Sequence, residues 1–253
     1  MTLDPSPFTG TDPTTPSTRT RTLPEKIVRL SGSSIWTIDG WTQDCSEDST
    51  TTKTTTTTAT TTITVSDGPH GVRKPLTDIS LQESHPATCF PAGCAMAASW
   101  SVATMDQLGQ ALARECEYYN ISVLLGPAMN LKRHPAGGRN LEYFSEDPYL
   151  TGRLAASYVQ GVQSTGRVGA CLKHFAVNNQ ESHRLVVNAM VDPRTLRELY
   201  LASFELALRH AQPAMIMGAY NRLNGVYCCE NSWLLQHVLR KEWKYAGVCV
   251  TDW

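Results

Sequence analysis

The sequence predicts an α/β fold, with mostly parallel strands alternating with helices. Three observations lead there. Short apolar runs recur from residue 63 onward, at 63–66, 122–126, 169–174, 214–219 and 247–251. Segments with helical periodicity or helix-boundary residues lie between them, at about 104–119, 148–164, 194–210 and 232–242. Polar residues collect just after the apolar runs. Strand and helix in alternation is the pattern of a parallel sheet, because each parallel connection needs a crossover.

Taken in order, residues 1–21 are rich in Thr, Pro and Ser and read as a disordered arm, since they offer little apolar surface to bury. Thr22-Leu23-Pro24-Glu25 is a capping box opening a short helix to about Ser31. Residues 46–62 form a Thr-rich low-complexity insert: from Ser49 to Thr62, eleven of fourteen residues are Thr. Without apolar alternation such a tract has no face to fix its register, so a flexible insert is expected. Ile63-Thr64-Val65 then starts the strands, and a weaker strand is read near 90–95. The helix near 194 has Asp192 as its cap, Pro193 at its first position, and Leu196, Leu199, Tyr200 and Ala207 on one face. The segment from Asn231 ends in Arg240-Lys241, whose charge suits helix C-terminal carbonyls. The strand count, about six, falls short of a closed barrel of eight, and a (β/α)8 barrel takes about 250 residues.

Composition removes several function classes. The formal net charge of −1 and the absence of any basic run or basic-aromatic strip argue against a nucleic-acid partner. No apolar stretch approaches the roughly 20 residues of a membrane span. The first residues lack the apolar core of a signal peptide, which favours a cytoplasmic chain without fixing its compartment. The eight cysteines (45, 89, 94, 116, 171, 228, 229 and 249) form no CxxC pair and no zinc spacing, so free thiols and no metal are expected. No organic cofactor is implied.

The chemistry gathers at strand ends. Asp67 follows 63–66. Asn130, Lys132 and Arg133 follow 122–126. Lys173 and His174 close 169–174, Tyr220 and Asn221 follow 214–219, and Asp252 closes 247–251. Active sites of parallel α/β folds form at those C-terminal ends. Each residue also has a plain structural reading. Asp67 can stabilise its Gly-Pro turn, Arg133 can pair with Glu142 or Glu146, Met217 can be core, and a strand-end Asp is commonly a cap.

Four segments, in order, carry a resemblance. They are Ser66-Asp67-Gly68-Pro69-His70-Gly71, the run from Gly138-Arg139-Asn140 to Glu146-Asp147-Pro148, the run from Lys173-His174-Phe175 to Gln180-Glu181, and Thr251-Asp252-Trp253. Together they resemble the N-terminal catalytic barrel of the family 3 glycoside hydrolases, a group with many β-glucosidases, over roughly 22–40 and 63–253. The resemblance implies an incomplete TIM-type (β/α) barrel over 22–253. It implies retaining hydrolysis of terminal β-D-glucosyl residues, with a small β-glucoside or oligosaccharide as substrate, hence a place in cellulose and polysaccharide degradation. By the same resemblance Asp252 is the nucleophile, and Asp67, Arg133, Lys173 and His174 hold the sugar's hydroxyls. Tyr220 and Trp253 form aromatic walls, and Met217 lines the pocket. β-Xylosidase activity is the alternative within the family.

One departure bears on activity. A retaining glycosidase needs a second carboxyl group, about 5–5.5 Å from the first, to protonate the leaving oxygen. In the resembling family that acid is a Glu in a second, C-terminal domain, for which these residues show no counterpart. One branch uses a barrel His with a His-Gly-rich pattern after Lys-His-Phe. Here Ala176-Val177-Asn178-Asn179-Gln180-Glu181 follow instead. His183 is nearby in a different context. The expectation is a chain that stops just after its nucleophile and is weak or inactive alone. A non-catalytic fragment or sugar-binding remnant is the alternative from another class, and a Schiff-base aldolase using Lys173 is a remote third.

Overall fold

The computed structural model describes residues 36–38, 62–77 and 83–253. The expected disordered arm, the capping box and the Thr-rich insert up to residue 61 lie outside the described residues. The elements run β1 (Thr37–Ile38), β2 (Ile63–Ser66), α1 (Gly93–Ala97), α2 (Val102–Tyr118), β3 (Val123–Leu124), α3 (Pro148–Val162), β4 (Gly169–Phe175), β5 (Asn188–Ala189) and α4 (Pro193–Thr195). A π-helical stretch (Leu196–Tyr200), α5 (Ala202–His210), β6 (Met215–Gly218), β7 (Arg222–Leu223), β8 (Val226–Tyr227), the π-wound helix α6 (Trp233–Glu242) and β9 (Val248–Val250) complete the order.

The main sheet has the order β1-β2-β3-β4-β6-β9. Strand β1 is antiparallel to β2, and every later pair is parallel. Five parallel strands with helices between them make an incomplete TIM-type barrel. The two faces separate by strand alternation. Val65, Val123, Leu125, Cys171, Met215 and Met217 form one cluster with Trp36, on the inner face. Their neighbours Leu124, Ala170, Leu172 and Ile216 point the other way, into the larger core with Leu112, Leu154, Phe204 and Leu234 from the helices.

Local chemistry sets the helix starts. The Ser101 hydroxyl caps α2 by accepting from Thr104 N at 3.1 Å. Asp147 caps α3 by accepting from Leu150 N at 2.6 Å, with Pro148 at the first position. Asp192 caps α4 as the sequence predicts, accepting from Arg194 N and Thr195 N.

Three features differ from the sequence reading. Residues 90–95 are not a strand. Pro91 removes a ladder donor, no β-branched residue follows, and the Ala-rich run winds into α1 at Gly93. The sixth strand of the sheet is β1, which carries no pattern of its own. Residues 222–227, where the sequence reading places no strand, form a hairpin: β7 and β8 flank Asn224-Gly225, with φ of 50° and 97°, as a two-residue type I′ turn requires. This hairpin pairs with β5 in a second, three-stranded sheet.

Helices α2 and α3 cross at two glycines. A Cβ on Gly161 would sit 2.2 Å from Asp106 O, and one on Gly109 would sit 2.5 Å from Tyr158 O. Helix propensity alone favours Ala over Gly by about 1 kcal/mol. At this crossing the backbone clash outweighs it, and Gly161→Ala should destabilise the fold by roughly 1–3 kcal/mol. The urea midpoint is the check: it should fall, and a raised midpoint would show that the crossing has slack.

Candidate active site

Strand alternation places the first three groups. Two residues beyond the inward-facing Val65, Cys171 and Val250 come Asp67, Lys173 and Asp252, so each continues the inner face, Lys173 within β4 and the two aspartates just past their strands. Lys173, 6% exposed at its side chain, donates to Asp67 Oδ1 at 2.7 Å. Burial pushes the Asp67 carboxyl up, but the charge and hydrogen bond of Lys173, the Gly68 N–H and Arg73 outweigh it, and the net shift is downward.

His174 is buried, with Nε2 3.7 Å from Asp252 Oδ2. Burial, and then the charges of Lys173, Arg139 and Arg184, hold its pKa well below the ordinary value. The ring is therefore neutral at pH 7, and the contact is neither an ion pair nor, at that length, a hydrogen bond. The backbone of His174 is gripped by one side chain: Asn130 donates to His174 O at 2.9 Å and accepts from His174 N at 2.9 Å. Met129 N donates to Lys173 O at 2.7 Å, tying the end of β4 to the segment after β3.

Asp252 has a side chain 14% exposed. Burial raises its pKa, against the opposing charges of Lys173 and Arg139, a hydrogen bond from the Tyr220 hydroxyl, and the charge of Arg184. Its Oδ2 is buried without a hydrogen-bond partner, as is His174 Nδ1. Buried polar atoms left in this state are costly unless something else satisfies them. The Cys229 thiol donates to Ala219 O at 3.8 Å, and the neighbouring backbone of Asp252 opposes the rise that burial gives its pKa.

Two arginines that sequence reasoning missed belong to this cluster. Arg184 stacks its guanidinium 4.8 Å over the Tyr220 ring and pairs with Glu181 at 2.8 Å. Arg139 pairs with Glu142 at 2.7 Å, beside Tyr143, whose ring meets His174 edge-on at 6.5 Å. Arg133, by contrast, is exposed, and no hydrogen bond or ion pair ties it to Lys173, His174 or Asp252. The reason is the loop. Asn140 Nδ2 donates to His134 O at 2.7 Å and folds residues 134–140 back on themselves, so the inward guanidinium is the one six residues further on. A signal was present: Arg139 lies inside one of the four motif segments, and Glu181 and Arg184 stand three apart.

Met217 is fully buried in the inner cluster beneath these groups. Trp253 is half-exposed, with its ring 5.9 Å from that of Trp36. The other carboxylates of the cluster are all engaged: Asp67 with Lys173, Glu142 with Arg139, Glu181 with Arg184. His183 is exposed. Among the described residues no group of three or more His, Cys, Asp or Glu could hold a metal ion. The cluster thus offers one carboxylate without a salt-bridged cation, three flanking cations, a neutral imidazole and an aromatic wall.

Known proteins share the sequence and fold of this chain. The glycosyl hydrolase family 3 N-terminal domain matches residues 43–253. The chain is 55% identical over 194 residues to thermostable β-glucosidase B of Acetivibrio thermocellus, covering 76% of this chain and 26% of that one. It is 44% identical over 244 residues to the exo-α-(1→6)-L-arabinopyranosidase of Bifidobacterium longum, covering 95% of this chain and 30% of that one. Among solved structures, the β-glucosidase of Kluyveromyces marxianus in complex with glucose superposes with a TM-score of 0.80 at 37% identity, over 92% of this chain and 26% of that one. β-Glucosidase 3B from Thermotoga neapolitana in complex with α-D-glucose gives 0.72 at 45% identity, over 77% and 27%. The chain spans between 26% and 30% of the length of these curated relatives.

The two aspartates have opposite linkage signs. For Asp252, raised in the fold, the stabilising contribution is complete below the unfolded pKa and lost as pH rises through the folded one. Asp252→Asn should therefore raise the melting temperature at pH 7. For Asp67, lowered in the fold, the contribution is present above the unfolded pKa and lost as pH falls through the folded one. Asp67→Asn should lower the melting temperature at pH 7 and flatten its fall below pH 4. Thermal scans of both variants across that range test the signs, and identical profiles would refute them.

Proposed function

The chain belongs to glycosyl hydrolase family 3, and from that premise we propose that it carries the nucleophile half of a retaining β-glucosidase site. The supporting observation is the convergence of Asp67, Lys173, His174, Tyr220 and Asp252 at the C-terminal ends of β2, β4, β6 and β9. A carboxylate oxygen of Asp252 attacks C1 of a terminal β-D-glucosyl residue as the C1–O bond to the aglycone breaks, giving a covalent glycosyl-enzyme. Lys173, Arg139 and Arg184 hold Asp252 as an anion and donate to the sugar's hydroxyls, and Asp67 accepts from them. Neutral His174 presents one N–H to a hydroxyl without adding charge beside the developing oxocarbenium ion. Trp253 and Tyr220 wall the ring, above Met217.

The departing oxygen needs a proton. Because the other carboxylates of the cluster, Asp67, Glu142 and Glu181, are each ion-paired, we place the donor outside the described residues. The chain alone should then turn over cellobiose very poorly, since general acid catalysis contributes roughly 10²–10⁴-fold. A Schiff base at Lys173 is disfavoured, because Asp67 engages the amine. A pentopyranoside is the second reading for the substrate, supported by the arabinopyranosidase relative that covers 95% of the chain. An α-L-arabinopyranoside lacks the hydroxymethyl group of a β-D-glucoside and has the opposite configuration at C4, and paired aryl glycosides compare the two.

The test is labelling with a dinitrophenyl 2-deoxy-2-fluoroglucoside, whose leaving group needs no proton. Peptide mass spectrometry should find the adduct on Asp252 and none in Asp252→Asn. Arg139→Met and Arg184→Met should each slow labelling about tenfold or more, the range for a hydrogen bond to a charged group, whereas Arg133→Met should not. An adduct elsewhere would sink the assignment. Efficient cellobiose turnover would place a proton donor within the chain, with Glu181 and His183 the first to replace.

A further inference from the structure

The turn after β4 carries an ion pair that the needs of the fold do not explain. Arg184 donates through Nη1 to Glu181 Oε1 at 2.8 Å, with side chains 38% and 35% exposed. A pair this open to solvent adds little to stability. The carboxylate is also only half satisfied, because its Oε2 is buried with no hydrogen-bond partner. Burying an oxygen in that state costs stability.

What the pair fixes is a direction. The chain leading to Glu181 is pinned to the loop after β3: Tyr143 donates to Asn178 O at 3.0 Å, and Asn179 Nδ2 donates to Leu131 O. The stem of Glu181 is wedged against Gly138 of the same loop, where an added Cβ would lie 2.9 Å from Glu181 Cβ. The carboxylate therefore stands on backbone that is already held. Arg184 is the opposite case, a long side chain with many rotamers to lose. Its guanidinium carbon lies 4.8 Å from the centre of the Tyr220 ring, and its charge favours the Asp252 anion. Among the described residues, Glu181 is the only group that accepts a hydrogen bond from that guanidinium.

We propose that Glu181 is a positioning residue for the reaction: it selects the rotamer that lays the Arg184 guanidinium over Tyr220, in the cluster around Asp252. The inference rests on the reading of Asp252 as the nucleophile, and adds a role for Glu181 that moves no proton. The rival role, a proton donor, has the opposite consequence. A donor assists only a leaving group that needs a proton. A displaced Arg184 loses its hold on the sugar and on the Asp252 anion whatever the leaving group.

Two measurements on the full chain test this. The first uses no sugar. In the NMR spectrum of the isotope-labelled protein, the Tyr220 ring current should move the Arg184 side-chain resonances upfield. Glu181→Ala should return them toward their positions in Tyr220→Ala, while the melting temperature changes by no more than about 4 °C, as the loss of an exposed pair implies. Resonances that stay upfield in Glu181→Ala would overturn the proposal. The second measurement is labelling with the dinitrophenyl 2-deoxy-2-fluoroglucoside. Glu181→Ala should slow it about tenfold, the step expected of Arg184→Met, and the double variant should be no slower than Arg184→Met alone. Glu181→Gln keeps an accepting oxygen at the same reach and should be slowed less. Labelling of Glu181→Ala at the parent rate would end the proposal, as would slowing that adds in full to that of Arg184→Met. The spectrum itself reports whether each variant is folded, and Glu181→Gln makes the same comparisons in smaller steps should Glu181→Ala not fold. If the parent chain is never labelled but the Arg184 resonances move as stated, the nucleophile reading falls and Glu181 stands as the residue that orients Arg184.

Discussion

Everything at the candidate site depends on the two-residue period of parallel strands held in register. Val65, Cys171 and Val250 face inward because their strands are paired Val65 to Val123, Cys171 to Met215 and Met217 to Val250. That register brings Asp67, Lys173 and Asp252 to one end of one face. It also divides the apolar residues into an inner cluster beneath the polar groups and an outer layer under the helices. A slip of one residue in any of these strands would exchange the two faces, turning a charged group into the helical layer and a core side chain into the site.

Electrostatics then refine what register positions. Lys173, Arg139 and Arg184 all bear on Asp252, and each has its own carboxylate partner: Asp67, Glu142 and Glu181. Asp252 is thereby left as the carboxylate in the group with no salt-bridged cation. The same three cations, together with burial, hold His174 neutral. The imidazole can then approach the carboxylate as a dipole, and its position is set by Asn130 through the backbone, not by charge.

Much of this was legible before any coordinates. The five parallel strands follow from apolar runs bounded by polar ends, and the helix start at Asp192 from capping chemistry that is local in sequence. Asp67, Lys173 and Asp252 were readable because their position depends only on strand parity. Arg133 was misassigned because loop geometry has no period: nothing in the spacing after β3 says which of two arginines a folded-back loop turns inward. Residues 90–95 were misread because a short apolar run does not distinguish strand from helix. Only Pro91 and the Ala-rich composition argue for α1. Strand β1 is two residues long, and its identity comes wholly from its pairing with β2. The Asn224-Gly225 hairpin was a missed local signal.

The thiol of Cys229 gives the strand that carries Asp252 a built-in gauge. Its Sγ donates to Ala219 O at the end of β6, and burial pushes its pKa up against the opposing effect of the Asp252 backbone. Were β9 to peel from β6, the thiol would lose that burial, its pKa would fall back toward that of free cysteine, and more of it would be the reactive thiolate. With the other cysteines replaced, the rate at which a chromogenic disulfide consumes this sulfur therefore measures how firmly the last strand is seated, with no sugar in the cuvette.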